Sequence, residues 1–383
     1  MTSGYLHVET ELRQSPKRAG SLCGDVFLCE RTAAGTTLVC ADGIGSGPHA
    51  HIAARMCATR LLELLRLGFS LRRAVHLVVE TMERWRDISK PYTAFSIARI
   101  LGNGNATILA YEAPLPLVVG RQRAEPVVSR PLELAGTLVD ESQCSLDTTE
   151  SLLMMTDGIT QAGIGSSLPH GWQTGGVAGY VSNCLRQGAG HDEIPDCVHR
   201  EARRLWTRGG DDCTVALARC RAGIVVNLLT GPPANRQADD EVVARFLQSE
   251  GFKVVCGGKT AEVVARHLGK TVRLERAPQS LIAPPRYGID GIDLVTEGAV
   301  TLNQVFNLLD EDIARFKEES GVTELCSLLN VADRVNMTLG TAHNAATDDV
   351  AFRQRGILTR SKIVPLLADR LRTAGKLVVV DEV

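Results

Sequence analysis

The sequence has no excess of one charge, no long apolar run and no close cysteine pair, and each lack removes a class of function. Lysines and arginines number 42 and aspartates and glutamates 44, a net charge of -2, so no overall field draws the chain to nucleic acid or to an anionic membrane. No stretch approaches the ~20 apolar residues of a membrane span. The opening residues alternate and carry Glu9 and Glu11, where a secretory leader needs an unbroken apolar centre. The 11 cysteines are odd in number, lie scattered from Cys23 to Cys326 and form no Cys-x-x-Cys unit of the zinc or thioredoxin kind. They read as reduced thiols, which places the chain in a cytoplasm. What is present is an ordinary globular composition, 44% hydrophobic and 22% charged with 36 glycines, which argues against disorder, collagen and a coiled coil. The 383 residues are enough for two domains of about 150 residues or more.

The first half predicts an α+β order. Leu6, Val8 and Leu12 alternate with His7, Glu9 and Glu11, as in a half-buried strand. Strands over 26–31 and 36–41 flank a short Thr-Ala-Ala-Gly turn. After the ADGIGSGPHA turn comes a helix ending at Leu67 and Gly68, and Ser70 caps a second helix to about Arg86. Strands over 93–101, 106–112 and 117–119 follow, with Gly-Asn-Gly-Asn turning the first into the second. Further on, SLLMM (151–155) runs into Thr156-Asp157-Gly158, and TVALA (214–218) begins just after Asp211-Asp212. Near Gly223 the pattern changes to alternating strands and helices, with strands over 253–256, 292–295 and 376–380 and helices over 260–268 and 359–374. That is an α/β signature, and it predicts a boundary between residues 1–222 and 223–383.

Four acidic positions stand out at strand ends: Asp25 in CGDVF, Asp42 in CADGIGSG, Asp157 in MTDGIT and Asp211 in GGDDCT. Carboxylates gathered at one sheet edge repel one another unless a cation neutralises them, and hard ions such as Mg2+ and Mn2+ favour such an oxygen set. Each Asp-Gly taken singly is an ordinary turn dipeptide. The ordered combination is what carries specificity.

Taken together, the ADGIGSG, TDGI and GGDDCT segments resemble those of the metal-dependent PPM-type protein serine/threonine phosphatases, in the branch typified by the stage II sporulation protein E phosphatase domain. The resemblance spans Tyr5 to Cys220. It implies a β-sandwich flanked by helices, followed here by the smaller α/β domain, and two divalent ions, Mn2+ or Mg2+, at one edge. On this resemblance Asp42 would bridge the two metals, the Gly43 carbonyl would bind one, Asp25 would approach the same side, and Asp157 and Asp211 would hold the other. Asp212 would stand behind the ligands. The implied reaction is hydrolysis of phosphoserine or phosphothreonine by attack of a metal-bridging water, on a phosphorylated regulator such as an anti-sigma-factor antagonist. The chain departs from eukaryotic members, which place an arginine shortly before the first acid; here residues 19–24 are Ala-Gly-Ser-Leu-Cys-Gly, leaving Lys17, Arg18 or the metals to grip phosphate. Two other readings stay open: a non-catalytic signalling module with this fold, and a hydrolase of small phosphoesters.

His49 and His51 read as polar residues at a helix start facing water, and Cys213 as a small core side chain. On the first helix Ala53, Ala54, Cys57, Leu61, Leu64 and Leu65 share the face expected to meet the sheet. Ile52, Met56 and Leu62 fall outside it, as extra core beneath the next helix or as a contact with a second subunit, a homodimer, or a regulator. The pattern alone favours the first; the resemblance raises the second, because these helices are implicated in switching in the sporulation-type branch. In the second domain, Gly257-Gly258-Lys259-Thr260 lies between a strand and a helix and suits either a tight turn or an anion site. It is not a Walker A loop, since Lys253 stands where the first glycine is required.

Overall fold

The chain divides into two compact units, Met1–Ala222 and Gly223–Val383. The computed structural model describes residues 4–85, 92–166, 168–207, 210–276, 284–311, 320–342 and 356–383. Arg86, where the second helix was expected to end, and Gly209 of the GGDD segment lie outside the described residues. Among the described residues no helix is long and apolar enough to cross a membrane.

The first unit runs β1 (Leu6–Ser15), β2 (Asp25–Thr32), β3 (Gly35–Gly43), α1 (Pro48–Arg66), α2 (Leu71–Trp85), β4 (Thr93–Leu101), β5 (Asn105–Tyr111), β6 (Leu117–Val119), β7 (Ala124–Pro126), β8 (Ser129–Leu134), β9 (Thr137–Ser145), β10 (Ser151–Met155), α3 (Asp157–Thr160), α4 (Gln173–Arg186), α5 (Ile194–Leu205) and β11 (Cys213–Ala222). The strands form two sheets, ordered β2-β3-β4-β5-β9-β8 and β1-β11-β10-β6-β7. Side-chain alternation explains the layering. Leu38 and Cys40 of β3 meet Leu152 and Met154 of β10 in a core between the sheets. Val39 and Ala41 face the other way, against Ala54, Leu61 and Val75 of α1 and α2. Leu153 and Met155 likewise turn outward onto Val177, Val181 and Val198 of α4 and α5. The SLLMM run is therefore apolar throughout because both of its faces are covered. The unit is an α+β sandwich flanked by helices.

The second stripe on α1 divides between the two readings offered for it. Leu62 is buried in the core that α1 shares with α2, whereas Ile52 and Met56 are 54% and 68% exposed. A neighbour lying along the flank of α1 widens its buried stripe beyond the single face that packs on the sheet.

The second unit runs β12 (Val225–Thr230), α6 (Asp239–Gln248), β13 (Phe252–Cys256), α7 (Gly258–Leu268), β14 (Arg273–Arg276), β15 (Arg286–Gly288), β16 (Leu294–Thr296), α8 (Ala299–Leu308), α9 (Gly321–Val331), β17 (Arg334–Leu339), α10 (Arg360–Thr373) and β18 (Leu377–Glu382). Its sheet order is β14-β15-β16-β13-β12-β17-β18, parallel from β16 to β18, with β14 and β15 antiparallel at one edge. Both faces are covered, one by α6 and α7 around Leu229 and Val255, the other by α8, α9 and α10 around Leu228 and Met337.

Candidate functional site

Strand register brings the first two acids together: Asp25, which opens β2, pairs with Asp42 near the end of β3. In the other sheet β10 ends at Met155, Asp157 opens α3 after Thr156, and β11 starts directly after Asp211 and Asp212. Met155 pairs with Val215, so those acids belong to neighbouring strand ends. Thr156 joins the two sheets here. Its Oγ1 donates to Asp25 Oδ2 at 2.8 Å and accepts from the Thr214 amide at 3.0 Å. Gln14 Nε2 adds bonds to the Asp25 carbonyl (3.1 Å) and Thr214 Oγ1 (2.9 Å).

The electrostatics are unbalanced. Asp25 is fully buried and its Oδ1 has no hydrogen-bond partner among the described residues. Burial pushes its carboxyl above the ordinary range, against the lowering effect of the Thr214 and Thr156 hydroxyls. Asp42 is pushed up much further, first by burial and then by the negative charges of Asp25, Asp157 and Asp211. A small cavity touched by Asp42, Glu112, Thr156 and Asp157 has a volume of ≈ 10 Å³ for the centre of a water-sized sphere, room for about one water or ion. Among the described residues no three His, Cys, Asp or Glu side chains form a ready-made metal-holding group. The donor chemistry nonetheless fits a hard cation: all oxygen, one buried carboxylate oxygen without a donor, and a neighbouring carboxyl destabilised in its charged form.

The glycines after two of these acids serve close approach. A Cβ on Gly43 would lie 2.0 Å from the Ala50 carbonyl oxygen, and one on Gly158 would lie 1.9 Å from that of Asp212. The Asp-Gly pairs therefore press the acid-bearing turns against α1 and against the start of β11, which an ordinary surface turn does not require.

The adjacent acids Asp211 and Asp212 part ways. Asp212 is buried and takes the backbone amides of Lys17 (2.7 Å) and Gly24 (3.0 Å), so both of its oxygens are used in hanging the segment between β1 and β2. Asp211 stays partly open, with Lys17 Nζ 3.3 Å from its Oδ1. Asp157 Oδ2 accepts from Gln161 Nε2 at 2.7 Å. Of the two basic residues considered for phosphate, Lys17 reaches the acids, while the Arg18 carbonyl closes a turn onto Ser21.

His49 is exposed, but His51 is half-buried, its Nδ1 2.9 Å from the Cys23 carbonyl. It ties the lead-in of β2 to α1 rather than facing water. Cys213 is buried. Sequence reasoning missed Glu112, which follows β5 with φ 49° and lines the cavity. Its signal was an acid directly after an apolar strand in Tyr-Glu-Ala-Pro, the criterion that singled out the others. In the second unit Gly257 (φ 123°) begins α7, Lys259 is exposed, and Thr260 is buried with its Oγ1 accepting the Gly231 amide at 2.9 Å.

Residues 32–221 match the family Stage II sporulation protein E (SpoIIE). Among solved structures, the PP2C phosphatase domain of SpoIIE from Bacillus subtilis, with a fragment of its regulatory domain, is 20% identical, with 57% of this chain and 64% of that one covered and a TM-score of 0.47. The chain thus spans less than two thirds of that structure. The RsbU and RsbW domains of a Mycobacterium tuberculosis protein are 17% identical, with 69% and 70% covered and a TM-score of 0.45. RsbX in complex with magnesium is 17% identical, with 56% and 99% covered and a TM-score of 0.41. Curated protein sequences give no match.

Proposed function

We propose that the first unit, whose residues 32–221 match the SpoIIE family, is a metal-dependent PPM-type protein phosphatase acting on phosphoserine or phosphothreonine of a small regulatory protein of the anti-sigma-factor-antagonist kind. The observation that carries this reading is the charge imbalance around Asp42, a half-buried carboxyl facing Asp25, Asp157 and Asp211 with no basic partner among the described residues. Asp25, Asp42, the Gly43 carbonyl, Asp157 and Asp211 would hold two divalent ions, Mn2+ or Mg2+. When bound, such ions supply Lewis-acid charge at the phosphoryl group and a nucleophile at neutral pH.

The remaining work falls to the chain itself. Thr156 fixes the rotamer of Asp25 through Oδ2 and leaves Oδ1 free to face a cation. Asp212 positions Lys17 by its backbone amide, and the Lys17 ammonium beside Asp211 brings a positive charge to the rim where a phosphoryl group would approach. In this reading Lys17 takes the place of the missing arginine, as a point charge rather than a fork. The test is phosphate release from a phosphoserine peptide and from p-nitrophenyl phosphate, with Mn2+, with Mg2+ and with EDTA. Metal-dependent release that favours the peptide is expected. Equal turnover of both substrates would favour a small-phosphoester hydrolase, and no release under any condition would favour a binding module.

A further inference from the structure

The acidic centre of the first unit has a basic approach on one side. There α5 lies along β1, and three contacts set how they align. Asp196 Oδ2 accepts from Arg13 Nη2 at 3.0 Å, while His199 Nε2 and Arg203 Nη1 stand 2.9 and 3.3 Å from the Ser15 hydroxyl. Steps of three or four residues on one face of the helix thus follow the step of two on one face of the strand. The same line leads to the candidate site: Ser15 pairs with Cys213, the first residue of β11, and Lys17 reaches Asp211.

Charge along this line is one-sided. Arg13 is taken by Asp196 and Glu11, Lys17 by Asp211, and Arg204 by Glu201. Arg18, Arg200 and Arg203 are exposed and have no ion-pair partner among the described residues. Packing of α5 does not use them, since Ile194, Val198 and Ala202 form its buried face. A basic last turn complements a helix dipole, which accounts for Arg203 and Arg204. It does not account for Arg200, which precedes that turn, or for Arg18, which belongs to the segment between β1 and β2. His199 senses the excess: burial first, and then the charge of Arg203, push its imidazole below the ordinary range. The chain as a whole carries a net charge of only -2, so the basic field is local to this face.

We propose that Arg18, Arg200 and Arg203, beside Lys17, form a docking strip for an acidic segment of the protein substrate, next to its phosphorylated residue. The proposal rests on the phosphatase reading and adds a substrate class to it, phosphoproteins with aspartates or glutamates adjoining the phosphosite. From Asp196 to Arg203 α5 rises about 10 Å, the reach of about three residues of extended peptide, so a short acidic run lying on the strip leaves the neighbouring phosphoryl group at the acidic centre. Complementary charge of this kind selects partners and speeds encounter. The few free cations suit a short peptide better than a nucleic acid, whose retention takes many phosphate contacts.

The test has two arms, both on the full chain. In the first, fluorescence anisotropy in EDTA follows a labelled, unphosphorylated Glu-rich peptide, so that no turnover enters the measurement. Saturable binding at low salt is expected, lost at ~0.5 M salt and weakened roughly tenfold or more by the double reversal Arg200→Glu, Arg203→Glu, with the melting temperature unchanged. In the second, phosphoserine peptides with Glu-rich and with Gln-rich flanks are compared in Mn2+. The acidic flank should lower KM by about tenfold, and the double reversal should remove that advantage while kcat and the turnover of p-nitrophenyl phosphate are kept. Should the double reversal fail to fold, Arg200→Gln and Arg203→Gln, made singly, must each raise KM for the acidic peptide. Binding that the reversal abolishes, without hydrolysis of any substrate, would uphold the strip and overturn the phosphatase reading. Hydrolysis indifferent to the flank and to these variants would overturn the strip and leave that reading intact. Displacement of the peptide by polyuridylate at matched charge would mark a nucleic-acid surface and likewise overturn the proposal.

Discussion

Asp42 and Glu141 are both carboxyls enclosed within the first unit, and their surroundings push them in opposite directions. The Glu141 side chain is 1% exposed, yet Arg72 grips it through both oxygens at 2.6 and 2.8 Å, and Arg130 adds bonds of 2.7 and 3.0 Å to Oε2. Those bonds, Arg72 first, hold its carboxyl below the usual range. Asp42 is pushed up, first by burial and then by the charges of Asp25, Asp157 and Asp211. Where the fold supplies its own counter-charge, a buried acid fastens elements together, here α2 to β8 and β9. Where no such partner stands by, the charged form of the acid is disfavoured until a cation arrives.

The comparison is broken most severely at Asp42. Asp42→Asn is expected to lower metal-dependent phosphate release by ~100-fold or more while raising the melting temperature in EDTA, because one of several crowded carboxylates is gone. Activity retained with an unchanged melting temperature would mean that the acids around Asp42 are already balanced. Glu141→Gln goes the other way. It is expected to cost ~1 to 3 kcal/mol at neutral pH with catalytic rate per folded molecule preserved. Its pH signature fixes the cause. Glu141 has a folded pKa below its ordinary 4.5, so its contribution is fully present above that value and is lost as pH falls through the lower folded value. Denaturation midpoints followed from pH 6 to pH 3 should therefore fall less steeply in Glu141→Gln than in the parent chain. The smallest effect is expected at Met56. Its 68% exposure predicts that Met56→Ala changes stability by no more than ~0.5 kcal/mol, far from the ~2 to 5 kcal/mol of emptying a core site such as Leu61. If α1 is a subunit contact, light scattering should still report a change in mass for Met56→Ala, and no change in mass or Mn2+ affinity would dismiss that surface.

How much of this was legible beforehand depends on whether the cause lay near in sequence. Both α1 and the β2 and β3 strands follow from local pattern, and Asp25, Asp42, Asp157 and Asp211 from short motifs at strand ends. The β8 and β9 strands did not stand out, since β8 mixes exposed and half-buried residues and shows no clean alternation. Leu62 could be read either as core or as a contact, because its burial depends on α2, not on its own helix. Asp212 shows the same limit: nothing in GGDD reveals that one acid is spent on the amides of Lys17 and Gly24, nearly 200 residues upstream.

The pairing of β1 with β11 has a consequence for the order in which the molecule comes into being. Leu6 pairs with Ala222 and Ser15 with Cys213, so the first strand of the unit finds its neighbour only in the last. A ribosome releasing this chain has exposed β2, β3 and both early helices long before β11 exists. Until then β1 lacks its hydrogen-bonding neighbour, and closing so long a loop is slow relative to local contacts. Asp211 and Asp212 travel at the head of that same late strand. The acidic centre is therefore completed by the same event that completes the sandwich, and a nascent or truncated chain ending before residue 211 holds Asp25, Asp42 and Asp157 without Asp211 and Asp212.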